Sequence, residues 1–142
     1  MKILLPIDMS NPNLNVLKNK LSTIKLSSND EVCLIHIFRI NAYSDNFSLT
    51  TYPTQDDIPH IEDAVIKGLT EYSKEIVPTE VKLSMKCDFS VSPKEACAKY
   101  ANDNGFDQII IVTREKHSFF SSSFAQYLIT NTNAELAILR KK

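Results

Sequence analysis

The residues best equipped for chemistry lie in two places. Asp8, with Ser10 two positions on, closes an apolar run at residues 2–8. Arg114, Lys116 and the run Ser121-Ser122-Ser123 follow a second apolar run, Gln108 to Thr113. Hydroxyls at a helix N-terminus, aided by the helix dipole and two cations, could hold a phosphate. A loop that cradles phosphate generally depends on glycine, because its backbone N–H groups must approach the anion through unusual φ angles. The segment from Thr113 to Phe124 has no glycine, and the whole 142-residue chain has two. The serines before Phe124 also read as helix-capping sequence. Asp8 reads equally as an acceptor for backbone N–H groups, capping the turn into the next helix.

Other candidates are weaker. His36 lies inside an apolar strand and reads as a hydrogen-bonded core residue, while His60 and His117 occupy separate segments. No H-x-x-x-H or Cys/His spacing marks a metal site, so none is expected. Cys33, Cys87 and Cys97 form neither an even set nor a C-x-x-C pair, which predicts buried, reduced thiols in the cytoplasm. A G-x-S-x-G elbow, a P-loop lysine and a second acid beside Asp8-Met9-Ser10 are all missing, so no enzyme is expected. A net charge of −1 supplies no field for nucleic acid or an anionic membrane. No apolar run approaches the roughly 20 residues of a membrane span. The first run stops at Asp8 without a small-residue cleavage site and reads as a strand, not a signal peptide.

The elements that must position these residues follow from periodicity. Apolar residues make up 43% of the chain and charged residues 23%, the balance of one ordinary globular domain. Strands are expected at 2–8, Glu31 to Arg39, Val81 to Phe89, Gln108 to Thr113 and Glu135 to Arg140. The second and fourth are almost continuously apolar, as in parallel strands covered on both faces. Leu14, Leu17, Leu21 and Ile24 mark one helix, with Ser10 or Asn11 as its cap and Pro12 near its first turn. Ile58, Ile61, Val65, Leu69, Tyr72 and Ile76 mark a second helix. A third starts at Ser92-Pro93 and stops at Gly105, and a fourth spans about Phe124 to Asn131. Asn41 to Thr54 reads as a long loop. Strands alternating with helices predict a single α/β domain, residues 1–142, with a doubly wound parallel sheet.

In order and spacing, these segments resemble the universal stress protein (UspA) family over essentially the whole chain. Pro6-Ile7-Asp8-Met9-Ser10 matches its P-x-D-x-S element, and Leu34-Ile35-His36-Ile37 its L-L-H-V strand. Ala101 to Thr113 is close to A-x-x-x-G-x-D-L-I-V-M-G, and Ser122-Ser-Phe-Ala-Gln-Tyr-Leu-Ile129 echoes G-S-V-A-x-x-V-L. Val91 to Cys97 is a weakened G-x-P-x-x-x-I element, and Ala134 to Leu139 stands for C-P-V-L-V-V.

The resemblance implies a five-stranded parallel sheet in order 3-2-1-4-5 with helices on both faces, an adenine nucleotide α-hydrolase-like, Rossmann-like fold. It implies a nucleotide pocket from Pro6, Ile7, Asp8, Ile37, Val112, Thr113, Arg114, Ser122 and Ser123. In nucleotide-binding members the fourth strand is followed by G-x-x-G, about nine residues, then G-[ST]. Here Thr113, Lys116 and Ser122 replace all three glycines, the spacing is about four residues short, and Ser123 keeps the final hydroxyl. The expectation is a non-enzymatic stress-response or regulatory protein with weakened or lost ATP binding and no cofactor. Its alternative is an ATP or AMP binder, with or without magnesium, using a remodelled loop. Phe119 and Phe120 are expected to fill the vacated nucleotide space. A homodimer is expected through the last strand, Leu136, Ala137, Ile138 and Leu139, beside a protein partner the residues do not name.

Overall fold

The computed structural model describes residues 1–44, 49–113 and 122–140. Its main sheet is built from β1 (Lys2–Pro6), β2 (Glu31–Arg39), β5 (Lys82–Ser90), β6 (Gln108–Thr113) and β7 (Glu135–Arg140). All neighbours run parallel, in the order β5-β2-β1-β6-β7. This is the expected 3-2-1-4-5 order. Four helices connect the strands: α1 (Leu14–Thr23), α2 (Ile58–Ile76), α3 (Pro93–Asp103) and α4 (Ser122–Asn131).

The apolar strands sort their side chains by parity, because successive residues point to opposite faces. Ile3, Leu5, Val32, Leu34, Ile110 and Val112 join Leu17 and Leu21 of α1 and Val65, Leu69 and Ile76 of α2. Leu4, Cys33, Ile35, Ile37, Ile109 and Ile111 meet Cys97, Ala98 and Ala101 of α3 and Phe124, Ala125 and Leu128 of α4. Two cores thus sandwich the sheet, which is why β1, β2 and β6 read as unbroken hydrophobic runs.

Two local expectations are corrected. Asn41 to Thr54 is no loop throughout: β3 (Asn41–Ser44) and β4 (Leu49–Tyr52) pair antiparallel, from Asn41 opposite Tyr52 to Ser44 opposite Leu49. Its Thr- and Tyr-bearing arms suit strands. The start of α1 also differs. Asn13, with φ 55° and ψ 47°, is the residue before the helix, and no side chain caps it. Ser10 and Asn11 are consumed by the preceding turn, where the Asn11 N–H donates to the Asp8 carbonyl at 3.1 Å. The residue before a proline also resists helical angles, so the helix starts beyond Pro12.

The end of α3 follows expectation. Gly105 takes φ 64°; its N–H reaches Asn102 O at 3.3 Å, and the Phe106 N–H reaches Ala101 O at 3.1 Å. That pair of bonds is a Schellman cap, closed by apolar contact between Phe106 and the helix. The other glycine, Gly68 of α2, lies where an added Cβ would stand 2.7 Å from the Met9 terminal methyl. Both glycines serve the framework.

Candidate functional site

Strand order reverses at β1, which has β2 on one side and β6 on the other. In open α/β sheets ligands bind beyond the carboxyl ends of the strands at such a reversal. Here that position is marked by Pro6, Ile7 and Asp8 on one side and Val112 and Thr113 on the other.

Asp8 is held by its neighbours' backbone. The Ile7 N–H donates to Ile35 O at 2.8 Å, and the Nδ1 of His36 donates to the Ile7 carbonyl at 2.8 Å. Both main-chain groups of Ile7 are therefore tied to β2. A carbonyl only accepts, so this bond places a proton on Nδ1. His36 is 9% exposed. Burial, partly offset by the Ile7 bond and the Asp8 charge, depresses its pKa below the usual 6.5. It is the core histidine that the sequence suggested.

The Asp8 carboxylate turns into its own chain: Oδ1 accepts the Ser10 N–H at 3.0 Å and the Ser10 hydroxyl at 2.7 Å. That is the structural role anticipated for it. Yet Asp8 also borders an open cleft of about 370 Å³, with Ser10, Ile37, Phe38, Arg39 and Tyr52 around it. The functional and structural readings of Asp8 are compatible, since one oxygen serves the turn while the residue lines the cleft.

Aromatic rings form one wall of this cleft. The Phe38 ring lies 6.5 Å from His36, 6.1 Å from Tyr52 and 5.7 Å from Phe89. Sequence reasoning missed Phe38, Arg39 and Tyr52. Phe38 and Arg39 simply continue β2 past Ile37, whereas Tyr52 comes to the cleft only because β4 folds back on β3. Met9, also in the cleft, is seated against Gly68 of α2.

A second, smaller hollow of about 180 Å³ adjoins Arg39, bordered by Ser92, Lys94 and Ser123. Ser123 and Ser122 lie in the first turn of α4, while Ser92 immediately precedes α3. Of the expected pocket residues, Asp8 and Ile37 thus share the main cleft and Ser123 the adjoining hollow. Pro6 and Val112 are buried beneath as sheet, and Ile7 is buried just past the end of β1. Arg114, Lys116, Phe119, Phe120 and Ser121 fall outside the described residues, and so does any filling of the cleft by the two phenylalanines.

The cysteines are buried and free. Burial pushes the Cys97 thiol up to about 12 and Cys87 up to about 11, far from the thiolate a nucleophile needs. Among the described residues, no group of three or more His, Cys, Asp or Glu side chains could hold a metal ion. No described helix is long and apolar enough to cross a membrane.

No protein-family model and no curated protein matches the sequence. Solved structures do match along nearly its whole length. The hypothetical protein MJ0577 aligns with TM-score 0.62 at 22% identity, covering 99% of this chain and 96% of its own. The Arabidopsis thaliana universal stress protein family protein At3g01520, with AMP bound, aligns with TM-score 0.60 at 12% identity, covering 100% and 92%. A universal stress protein in complex with cAMP aligns with TM-score 0.59 at 11% identity, covering 98% and 95%. Identity this low speaks to architecture alone. In its parallel sheet, strand order and covering helices, the chain has the fold of the universal stress proteins.

Proposed function

We propose that this protein is a non-enzymatic, cytoplasmic regulatory protein of the universal stress type. Its cleft takes an adenosine-bearing ligand weakly, and it works as a homodimer joined along β7. One observation carries the reading: a mismatch within the cleft. On the nucleoside side, Asp8, Ile37, Phe38 and Tyr52 offer apolar and aromatic surface beside one carboxylate, the usual make-up of a small-molecule site. The segment joining β6 to α4 has no glycine, so its backbone is poorly suited to wrap a triphosphate. AMP in the Arabidopsis protein and cAMP in another neighbour favour adenine as the base. Three buried, free thiols suit a reducing compartment.

Calorimetric titration with ATP and AMP, each with and without magnesium, tests this. The expected dissociation constants are about 0.1–1 mM, equivalent to about −5.5 to −4 kcal/mol, with ATP no tighter than AMP. Asp8→Ala is expected to weaken binding about tenfold, the loss of one charge-assisted hydrogen bond. Low-micromolar ATP binding that tightens with magnesium would show that the rewritten loop still cradles phosphate, contrary to this reading. An absence of adenine-compound binding at millimolar concentration would remove the ligand altogether.

A further inference from the structure

We infer that Arg39 is the phosphate-recognising residue of this cleft, and that it selects a nucleoside monophosphate. The inference rests on the adenosine reading above and adds to it the group that the glycine-free loop no longer supplies. Arg39 is the last residue of β2. Two positions after Ile37, it continues the same side of the strand, at the sheet's carboxyl end opposite Ser90 and beside the starts of α3 and α4. It borders both the main cleft, with Asp8, Ile37 and Tyr52, and the adjoining hollow, with Lys94 and Ser123. A ligand whose nucleoside lies along Asp8 and Ile37 therefore meets Arg39 on the way into the hollow.

Among the described residues, the charge of Arg39 is uncommitted where those of several other cations are not. Lys2 and Lys82 pair with Glu31, Lys74 with Glu71, and Lys99 with Asp103. The Lys94 ammonium sits 5.4 Å over the Tyr127 ring. No carboxylate among the described residues lies within ion-pair distance of Arg39. A guanidinium holds two phosphate oxygens through a planar fork of N–H donors, and it needs no close approach of backbone to do so. It can thus replace a glycine loop for one phosphate. A hollow of about 180 Å³, with one cation seated over a ring and one that meets no described carboxylate, matches a single phosphate better than three.

The experiment measures adenosine, AMP and ATP binding to the full chain by calorimetry at low salt, for wild type, Arg39→Gln and Arg39→Lys. Thermal melts check that each variant folds. AMP is expected to bind at least about tenfold tighter than adenosine, the margin of a charge-assisted contact. Arg39→Gln should collapse the AMP-to-adenosine ratio toward one, and Arg39→Lys should keep part of it. If AMP and adenosine bind the wild type equally, or Arg39→Gln leaves the ratio intact, Arg39 is not the recogniser. Adenosine binding sensitive to Asp8→Ala would in that case keep the cleft reading alive. If adenosine and AMP both fail to bind, the cleft reading and this inference fall together.

Discussion

At the scale of single residues, His36 shows how a motif position can be structural and still shape the site. Its bond to the Ile7 carbonyl fixes the backbone from which Asp8 projects. Because burial lowers its pKa below 6.5, the unfolded chain binds more protons than the folded one between the two values, and stability rises with pH there. The contribution is complete above about 6.5 and is lost as pH falls below that toward the folded value. Melting temperature is therefore expected to drop on acidification from pH 7 toward 5, and His36→Gln should flatten that slope. A variant slope as steep as wild type would refute the assignment. Asp30 and Asp57 titrate in a separate window. Hydrogen bonds from the chain N-terminus and from Thr54, respectively, hold their carboxyls below the usual 3.8, so their effects emerge only at more acid pH.

Among the elements, α2 was the most legible. Its apolar residues recur at three and four positions over five turns, and one face accordingly supplies Val65, Leu69 and Ile76 to the core. Leu69 is fully buried. Leu69→Ala is expected to cost about 2–5 kcal/mol in urea unfolding, as a large-to-small core substitution does; a loss under about 1 kcal/mol would mean that the helix packs loosely. The hairpin β3–β4 escaped notice for the opposite reason. Its arms are four residues each, too short for alternation to stand out, and a strand so brief is defined mainly by its partner. With the hairpin went Tyr52, and with Tyr52 one wall of the cleft.

For the whole molecule, the exposed edge of β7 is the feature to test. It pairs with β6 on one side, and Ile138 is 45% exposed. An edge strand bearing apolar residues offers unsatisfied backbone groups to a second chain. The proposed dimer should appear as twice the chain mass, about 32 kDa from 16.1 kDa, in light scattering at micromolar concentration. Ile138→Lys should shift the population toward monomer. A wild-type monomer under those conditions would refute the proposal.

The sequence by itself determined the five strands of the main sheet, the helices α1 to α4, their parallel arrangement and the end of α3 at Gly105. These depend on periodicity and on local backbone preference, which every residue carries wherever it lies in space. It also located Asp8, just past the end of a readable strand, while Ile37 came from the likeness of Leu34-Ile35-His36-Ile37 to a family motif. Only the tertiary structure decided what stands opposite them. Tyr52 reaches the cleft through a hairpin, Phe38 through ring contacts with two other strands, and Arg39 by lying between two hollows lined by five separate segments. No local preference encodes such neighbours, because they are brought together only when the chain crosses the sheet and returns.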